Sequence, residues 1–473
     1  MIHDINELKQ QKKIHFIGIG GIGMSALAFI LRKWNIAVQG SDLKENYLTE
    51  KLRAQGVDYL VGHDAKNIGD GVTLIVQTSI IKTNNPEIIE AQKRNISIMT
   101  RAELLALIMQ EYYGITIAGT HGKTSTTGMV SVLLEDAGLQ PTVINGGIIH
   151  YFQSNSKVGM GKYLVAESDE SDASFVKLPT KVGAITNIEA EHLEFAGYQG
   201  SFEKQKACFE QYASQIPEDG LCVICIDDVE ANKLYKKLKS SKKNLLSYSI
   251  NKSADIMAKN ITMDIGGITF DVVFKNGEEI KSIKMPIYGQ HNASNALVAI
   301  GIGKFLGLED NKIKQGLAKF NGVKQRFTKV GDFNGVSIID DYGHHPTEIL
   351  TTLKAARELV AKENKVICVV QPHKYSRVRD LFNEFCQAFF NADILIVSDI
   401  YSASQAPIEG INQDSLIEGI KKAGHQNVIK LNHENDLAGI LKPLIKKGDL
   451  VFCAGAGTIT NWAKNLAEQL QKL

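Results

Sequence analysis

Residues 114–137, GITIAGTHGKTSTTGMVSVLLEDA, carry the clearest indication of the fold class of this chain. A short apolar run at Gly114–Ala118 precedes a glycine-rich segment, and a helical pattern follows from Thr124 to Ala137. A strand, a glycine-rich turn and a helix in that order are typical of α/β proteins that bind phosphate at the helix N-terminus. The stretch therefore predicts an α/β nucleotide-binding unit.

The glycine-rich segment has the spacing G-x-x-G-K-T of a phosphate-binding loop. Its residues are Gly119, Thr120, His121, Gly122, Lys123, Thr124 and Ser125. Backbone amides would surround the phosphates, Lys123 would reach the β- and γ-phosphates, and the Thr124 hydroxyl would ligate Mg²⁺. The front of the loop is shorter than the general Walker pattern, which points away from Ras-like proteins and ordinary kinases.

An earlier glycine-rich segment follows a predicted strand at Ile14–Gly18 and opens a predicted helix at Ile22–Trp34. Its glycines are Gly18, Gly20, Gly21 and Gly23. Asp42 lies 19 residues after Gly23, at the end of the next predicted strand, where it could hold a ribose hydroxyl. NAD, FAD and a nucleotide-sugar diphosphate present the same charge, so the pattern predicts a diphosphate ligand without choosing among them.

Alternating strand and helix patterns continue along the chain and predict three α/β domains in a row. We expect a Rossmann-like domain at 1–110, a central P-loop-type domain at 111–324 and a second Rossmann-like domain at 325–473. Residues 250–288 alternate apolar and polar side chains, which predicts a small antiparallel sheet within the central domain.

Acidic and histidine residues follow two predicted strands of the central domain. The run Glu167–Asp172 carries four carboxylates, and Glu167 is the best candidate Mg²⁺ ligand because it lies nearest the strand end. A solvated acidic loop is the alternative. His192, in a loop after the next strand, could bind a metal or a phosphate.

Further polar clusters lie towards the carboxyl end of the chain. His291 and Asn295 could contact an adenine, although Asn292 or Ser294 could equally be an ordinary helix N-cap. Two loops in the third domain are rich in histidine, tyrosine and cationic side chains, and together they predict a pocket for a small carboxylate. These loops contain Asp341, Tyr342, His344, His373 and Arg377.

Seven motifs together resemble the Mur ligases of bacterial peptidoglycan synthesis. They are GIGGIGMS, GTHGKT, ESDESDASF, TNIEAEH, GQHNASNA, DDYGHHPTEI and QPHKYSR, and the family order holds from Gly18 to Gly457. The resemblance implies a three-domain cytoplasmic enzyme that uses ATP and Mg²⁺ to join L-alanine to the carboxylate of UDP-N-acetylmuramate through an acyl phosphate.

The resemblance also implies roles for individual residues. The catalytic group is Lys123, Glu167 and His192, and the metal ligands are Thr124, Glu167 and His192. ATP contacts comprise the loop 119–125 with His291, Asn292, Asn295, Arg326 and Asp341. The UDP-sugar contacts are Gly18, Gly20, Gly21, Gly23, Ser41 and Asp42, and the amino-acid pocket is formed by Tyr342, His344, His373 and Arg377.

Some positions depart from the usual family pattern. These are Ser168, Glu191, Glu194, Lys374 and the pair Gly457-Thr458. The longer acidic side chains beside His192 could shift a second metal site, and Lys374 loses the bidentate binding of an arginine. Lys206 aligns with a lysine that is carbamylated in several relatives, and we do not expect the modification here.

Three other functions are open to test. An NAD-dependent dehydrogenase would use the first glycine loop but leave the second idle. A muropeptide-recycling ligase would join a whole peptide to UDP-N-acetylmuramate. A non-enzymatic regulator would bind UDP-sugar and ATP without releasing phosphate.

Composition excludes several classes of partner. The chain of 473 residues has 53 Lys and Arg against 52 Asp and Glu, so no strong basic excess favours nucleic acid or a membrane surface. The polar opening and the absence of an apolar stretch of about 18 residues predict a soluble, cytoplasmic protein. The sequence leaves open whether it is a monomer or a homodimer.

Overall fold

The computed structural model describes residues 2, 4–78, 81–171, 173–193, 197–264 and 266–473. The chain divides into two units. The first comprises Met1–Lys259, Asp271–Ile283 and Ser294–Asn321, and the second comprises Asn260–Phe270, Lys284–Ala293 and Gly322–Leu473. The described residues form three sheets of five, ten and six strands, which confirms the α/β fold class.

The first sheet is parallel and has the strand order β3-β2-β1-β4-β5. Its strands are β1 (Lys13–Ile17), β2 (Ala37–Asp42), β3 (Asp58–Val61), β4 (Leu74–Gln77) and β5 (Ser97–Thr100). Its helices are α1 (Ile5–Lys9), α2 (Ile22–Lys33), α3 (Tyr47–Ala54), α4 (Pro86–Lys93) and α5 (Arg101–Met109). From β1 the chain adds β2 and β3 on one side of the sheet and then β4 and β5 on the other, so the direction of strand addition switches between β1 and β4. In open parallel sheets ligands bind at the carboxyl ends of the strands at such a switch point.

The second sheet contains the phosphate-loop segment. Its strands are β6 (Tyr113–Ala118), β7 (Thr142–Ile149), β8 (Ser154–Lys157), β9 (Tyr163–Glu167), β10 (Val182–Ile185), β11 (Leu221–Cys225), β12 (Leu245–Ser249), β13 (Ile256–Asp264), β14 (Gly267–Phe274) and β15 (Glu279–Met285). Its helices are α6 (Lys123–Asp136), α7 (Phe202–Gln215), α8 (Val229–Leu238), α9 (Gln290–Phe305) and α10 (Asp310–Lys319).

The order of this sheet is β15-β14-β13-β12-β11-β10-β6-β9-β7-β8. The strands predicted between residues 250 and 288 are confirmed, but they extend the large sheet instead of forming a small sheet of their own. The strand β13 joins them to the rest of the sheet through a short parallel pairing with β12, in which Tyr248 pairs with Ile256 and Ser249 with Met257. The strands β7 and β8 were not predicted. The polar run Ser154–Lys157 of β8 has little apolar signal, and in β7 the pair Gly146-Gly147 interrupts the apolar run.

One core joins the first two sheets within the first unit. Buried side chains around β1 and α2 pack in the same cluster as Ile144 of β7 and Leu164 and Ala166 of β9. Burial of this much apolar surface holds the two sheets in a defined relation, since each buried methylene contributes about 0.8 kcal/mol. The two glycine-rich loops are therefore carried by one packed unit.

The third sheet belongs to the second unit and has the order β16-β17-β21-β18-β19-β20. Its strands are β16 (Thr328–Phe333), β17 (Val336–Asp341), β18 (Val366–Val370), β19 (Ile394–Val397), β20 (Val428–Lys430) and β21 (Leu450–Ala454). Its helices are α11 (Pro346–Leu359), α12 (Tyr375–Asp380), α13 (Phe382–Gln387), α14 (Gln413–Lys422), α15 (Leu437–Leu441) and α16 (Ile459–Lys472). Only β16 runs antiparallel to its neighbour, and the other pairings are parallel.

None of the helices in the described part of the chain combines the length and the apolar character that crossing a membrane requires.

Candidate active site

The phosphate loop leaves the carboxyl end of β6, which lies between β9 and β10 in the sheet. Glu167 of β9 pairs with Ile117, and Ile185 of β10 pairs with Ala118. The loop therefore starts with an acidic strand end on one side and the segment after β10 on the other. This arrangement places the residues expected to bind phosphate and metal at one edge of the sheet.

Gly119 adopts a backbone conformation that requires glycine. Its φ angle is 129°, and a Cβ atom there would lie 2.0 Å from Thr186 Oγ1 and 2.9 Å from the Thr186 nitrogen. A side chain at this position would push the loop away from the segment after β10. The glycine thus permits the close approach of two loops.

The segment after β10 braces the phosphate loop through hydrogen bonds. The His121 nitrogen donates to Asn187 Oδ1 at 2.7 Å, and the Asn187 side-chain amide donates to the His121 carbonyl at 3.0 Å. Thr186 Oγ1 donates to the same carbonyl at 2.6 Å, and the Glu189 nitrogen donates to Thr120 Oγ1 at 2.9 Å. The sequence drew attention to this segment through His192, Glu191 and the motif TNIEAEH, and none of these indicated the bracing role of Asn187.

Lys123 forms an ion pair with Glu170, a member of the acidic run for which the sequence predicted no separate role. Lys123 Nζ lies 2.7 Å from Glu170 Oε2, and the Glu170 side chain is only 1% exposed. Burial raises the pKa of Glu170 to about 7, although Lys123 opposes this shift. Burial would lower the pKa of Lys123, but the carboxylates of Glu170, Glu167 and Asp169 more than offset it and raise that pKa. The lysine therefore remains charged.

Thr124 and Glu167 lie in direct contact. Thr124 Oγ1 donates to Glu167 Oε1 at 3.0 Å, and the Gly146 nitrogen donates to Glu167 Oε2 at 2.7 Å. A hydroxyl and a carboxylate beside a phosphate loop are hard oxygen ligands of the kind that Mg²⁺ prefers, so the donor set fits that ion. Both Glu167 oxygens accept hydrogen bonds from neighbouring elements, so this carboxylate is held in place, and its role as a metal ligand stays a prediction.

His192 lies in the loop after β10 and has a positive φ of 57°. Its side chain is 24% exposed, and its Nε2 atom lies 3.8 Å from Glu191 Oε1. Its role as a metal ligand stays a prediction. Two residues named in the sequence analysis lie outside the described residues. They are Asp172, the last residue of the acidic run, and Glu194, one of the departures from the family pattern near His192.

The first glycine loop is held by Asp42. The Gly20 nitrogen donates to Asp42 Oδ2 at 2.9 Å, and a Cβ atom on Gly20 would lie 2.9 Å from the same oxygen. Gly21 is the N-cap of α2 and places no side chain over the helix terminus. The unshielded N-terminus suits an anion, since the helix dipole is positive there. Ribose binding by Asp42 stays a prediction.

Ser41 belongs to a buried polar network that no sequence motif indicates. Its Oγ atom donates to Glu87 Oε2 at 2.8 Å, and His63 Nδ1 lies 2.9 Å from the same oxygen. Asn67 Nδ2 donates to Glu87 Oε1 at 2.7 Å, and Glu87 is fully buried at the start of α4. Ser41 is also fully buried, so its side chain suits positioning the end of β2 better than touching a ligand.

Arg101 lies between the first glycine loop and the acidic run. A Cβ atom on Gly23 would lie 3.0 Å from Arg101 Cδ, and Arg101 Nη2 lies 3.7 Å from Asp169 Oδ2. Its side chain is 22% exposed and stands beside the first turn of α2. This arginine was not predicted, because nothing in its local sequence separates it from an ordinary residue at a helix start.

Helix α9 carries the three residues expected near an adenine. It begins at Gln290, so the alternative that Asn292 or Ser294 serves as its N-cap is wrong. In the first unit, Asn295 lies beside Gly122, where a Cβ atom would approach its Oδ1 atom to 2.9 Å. In the second unit, burial lowers the pKa of His291 to about 4, and the Arg326 charge contributes, so the imidazole is neutral.

The end of β17 brings together several predicted residues of the second unit. Asp341 is 2% exposed and accepts hydrogen bonds from the Phe327 and Gly343 nitrogens, each at 2.7 Å. Burial raises the pKa of Asp341 to about 6 against the opposing charge of Arg326. The Arg326 guanidinium stacks over the Tyr342 ring at 5.4 Å from its centroid.

The residues of the predicted amino-acid pocket are neighbours in the structure, while their role in binding a ligand stays a prediction. The His344 ring lies 5.2 Å from the Tyr342 ring and 5.5 Å from the His373 ring. Arg377 Nη1 donates to His373 Nδ1 at 3.3 Å. Burial lowers the pKa of His373 to about 3, and the nearby His344, Arg377 and Lys374 add to the effect.

Tyr401 completes this cluster and was not predicted from the sequence. Its ring stacks on His373 with an interplanar angle of 11° and a centroid distance of 5.6 Å. A Cβ atom on Gly457 would lie 2.8 Å from the Tyr401 ring, so the glycine makes room for it. Tyr401 follows β19 with no motif of its own, and only the sheet order brings it beside His373.

Comparison with known proteins identifies the family. Three family profiles match in order: the catalytic domain of the Mur ligase family over residues 13–113, the Mur ligase middle domain over 117–303, and the Mur ligase glutamate ligase domain over 325–457. A UDP-N-acetylmuramate–L-alanine ligase from Bradyrhizobium diazoefficiens is 46% identical, covering 97% of this chain and 98% of the relative. The chain belongs to the Mur ligase family.

Two further relatives support the assignment of the chain to the Mur ligase family. A UDP-N-acetylmuramate–L-alanine ligase from Rhodospirillum centenum is 43% identical, covering 97% of this chain and 95% of the relative. The crystal structure of a UDP-N-acetylmuramate–alanine ligase from Thermotoga maritima superposes with a TM-score of 0.82 at 27% identity, covering 97% of this chain and 99% of that one. The three-domain α/β fold is thereby confirmed, and a dehydrogenase is excluded.

Lys206 of this Mur ligase is engaged in ion pairs. Its Nζ atom lies 2.6 Å from Glu203 Oε1 and 3.4 Å from Glu230 Oε2, and it stands over the Phe202 ring. The Glu203 and Glu230 carboxylates raise the pKa of Lys206, with the Glu203 hydrogen bond as the main cause. Carbamylation requires a neutral amine, so this setting agrees with the expectation that the lysine is not modified, which stays a prediction.

Proposed function

We propose that this Mur ligase joins L-alanine to the carboxylate of UDP-N-acetylmuramate and converts ATP to ADP and phosphate, as a step in peptidoglycan precursor synthesis. The observation that carries the proposal is the 46% identity to an alanine-adding ligase over 97% of the chain. The site geometry supports it, because one packed unit carries two separate glycine-rich loops, one for each nucleotide substrate.

The reaction needs an activated carboxylate. The γ-phosphoryl group of ATP passes to an oxygen of the muramoyl carboxylate, and ADP leaves. The neutral amine of alanine then attacks the acyl carbon, the bond to the phosphate oxygen breaks, and phosphate leaves with the electron pair. The nitrogen loses a proton to water, which leaves the neutral amide. Phosphorylation supplies the leaving group that a free carboxylate lacks, so positioning and charge stabilisation account for most of the catalysis.

The residues of the chain divide this work. Lys123 balances charge on the transferring phosphoryl group, and the loop 119–125 binds the ATP phosphates. Thr124, Glu167 and His192 would hold Mg²⁺, which neutralises the phosphate oxygens when bound. His291, Asn292, Asn295, Arg326 and Asp341 bind the rest of the nucleotide, and Gly18–Gly23 with Asp42 binds the UDP-sugar. Arg377, with Tyr342, His344 and His373, takes the alanine carboxylate.

The three domains share these tasks in the proposal. Residues 1–110 bind the UDP-sugar, and residues 111–324 supply most of the ATP contacts. Residues 325–473 bind alanine and supply Arg326 and Asp341 to the nucleotide. Neither nucleic acid nor a membrane takes part, the protein works in the cytoplasm, and it acts as a monomer or a homodimer.

Phosphate release measured with UDP-N-acetylmuramate, ATP and a panel of amino acids tests this function. We expect release that depends on all three substrates and is fastest with alanine. Faster release with a tripeptide than with alanine would instead identify a muropeptide-recycling ligase. ATP binding without release for any acceptor would identify a regulator.

Replacing Arg377 with alanine is expected to raise the KM for alanine about tenfold or more, because a charged hydrogen bond to the carboxylate is worth roughly 1.5–3 kcal/mol. The KM for ATP should change much less. Steady-state kinetics with each substrate varied in turn measures both values.

Arg379 offers a matched control for this change. It lies two residues further along, is exposed and pairs with Asp380. Arg379→Ala should leave the alanine KM within about twofold, as expected for an exposed pair. An unchanged alanine KM in Arg377→Ala would remove Arg377 from the pocket.

Replacing Arg101 with alanine is expected to raise the KM for UDP-N-acetylmuramate about tenfold, because its side chain stands beside the N-terminal turn where the diphosphate would bind. Arg94→Ala is the control, since Arg94 pairs with Glu90 and Asp70 at the C-terminal end of α4. Equal KM values for the UDP-sugar in both variants would contradict the assignment.

A further inference from the structure

Lys123 uses its ammonium group on three partners in this structure. Its Nζ atom donates to the Gly119 carbonyl at 2.7 Å and to the Thr120 carbonyl at 2.9 Å, and lies 2.7 Å from Glu170 Oε2. An ammonium group has three donors, and two of them are used on these carbonyls. The Glu170 carboxylate lies against the same ammonium group as its ion-pair partner. A phosphate oxygen that binds this lysine therefore meets another anion already in contact with it.

The three partners differ in how easily they can be replaced. The carbonyls of Gly119 and Thr120 belong to the loop itself and move with the lysine. Glu170 lies on a separate segment, after β9, and competes with a phosphate as another anion. A phosphate group arriving beside Glu170 would also meet a like charge. The carboxylate is therefore the partner that a nucleotide displaces.

Hydrogen bonds to its backbone carbonyl hold Glu170 in place. The Tyr198 hydroxyl, on a fully buried ring, donates to the Glu170 carbonyl, and the Ala173 nitrogen donates to the same carbonyl at 3.1 Å. The preceding residue, Asp169, faces Arg101. The backbone that presents Glu170 to Lys123 is thus held by hydrogen bonds, and the 1% exposure of the Glu170 side chain keeps water from screening the pair.

We propose that Glu170 is a positioning residue that holds Lys123 against the loop and gives the lysine up to the ATP phosphates. This exchange of partners by Lys123, from Glu170 to the phosphates, rests on the proposed ATP-dependent function and assigns Glu170 a part in it. Its consequence is that part of the nucleotide binding energy is spent on separating a buried ion pair. The pair keeps the lysine ordered and charged before the phosphates bind, because a buried ammonium without a counter-ion is strongly unfavourable.

Titration calorimetry with Mg²⁺ and a non-hydrolysable ATP analogue tests the exchange. Glu170→Gln keeps the shape and removes the charge, and we expect about tenfold tighter binding of the analogue, since one charged competitor is worth about that factor. The melting temperature without nucleotide should fall. Unchanged or weaker binding by a folded Glu170→Gln protein would overturn the proposal.

Glu135→Gln is the matched control, because Glu135 lies near the C-terminal end of the same helix α6 and pairs with another lysine, Lys157. It should bind the analogue as the wild type does, and equal tightening in both variants would overturn the proposal as a general charge effect. A crystal structure of the wild type with the Mg²⁺-bound analogue gives a second test that needs no variant. We expect Lys123 Nζ within hydrogen-bond distance of a phosphate oxygen and separated from Glu170, and a pair that persists beside the bound analogue would overturn the proposal.

These measurements need neither alanine nor UDP-N-acetylmuramate. A wild-type protein that binds the analogue but fails to ligate would therefore defeat the proposed function and leave the exchange intact. A wild-type protein that ligates, with a Glu170→Gln variant that binds no tighter, would defeat the exchange alone.

Discussion

Replacing Lys123 with alanine is expected to abolish turnover and to leave binding of UDP-N-acetylmuramate within about twofold of the wild type. The loss in kcat/KM should be about a thousandfold or more, because the lysine balances charge that develops on the transferring phosphoryl group. UDP-sugar binding should survive since the first glycine loop is organised by Asp42 and the start of α2, without Lys123. Phosphate-release kinetics and calorimetry with the UDP-sugar measure the two effects.

This variant leaves the Glu170 carboxylate buried without its lysine, which destabilises the fold. The double variant Lys123→Ala/Glu170→Gln removes both charges and is the control for folding. It should recover melting temperature but not turnover. Full activity in either variant would overturn the assignment of the second glycine loop.

Replacing Glu167 with glutamine is expected to lower kcat/KM about a hundredfold and to raise the Mg²⁺ concentration needed for half-maximal rate. Glutamine can still accept one hydrogen bond from Thr124 or Gly146, so the fold should persist. The variant loses the negative charge that would bind the cation. A raised Mg²⁺ requirement is therefore expected if Glu167 is a metal ligand and not if it only supports the fold.

The Mg²⁺ dependence of phosphate release measures this effect, and removal of Mg²⁺ by a chelator should abolish release by the wild type. Glu135→Gln is the comparison, because the Glu135 carboxylate pairs with Lys157 near the C-terminal end of α6. It should shift the Mg²⁺ dependence much less than Glu167→Gln. An unchanged Mg²⁺ requirement in Glu167→Gln would remove Glu167 from the metal site.

The secondary structure was predictable wherever the local pattern was strong. The strand at Tyr113–Ala118 and the helix at Pro346–Leu359 lie where alternation, glycine and a proline at the helix start indicate them. The strand β8 was missed, since the polar residues Ser154–Lys157 form a strand only through hydrogen bonds to the neighbouring strand β7. Pairing with another strand leaves no mark on the local pattern.

The site was predictable to the extent that its residues stand in motifs. Thr124 and Glu167 are 43 residues apart, yet each ends or follows a strand, and parallel strands bring such ends together. Glu170 and Asn187 also lie inside motifs, but their roles were not evident, because each role depends on which atom the side chain meets. Arg101 and Tyr401 stand outside the motifs, and only the packing of their elements brings them to the site.

Strand and helix periodicity and glycine spacing are local properties, so the linear order of residues was enough to indicate an α/β protein with two phosphate-binding loops and a cationic pocket. The order of the strands, the single core beneath both loops and the pairing of Lys123 with Glu170 became evident only in the folded chain. Burial and ion pairing depend on contacts between residues far apart in the chain, and those contacts exist only once the sheets have formed.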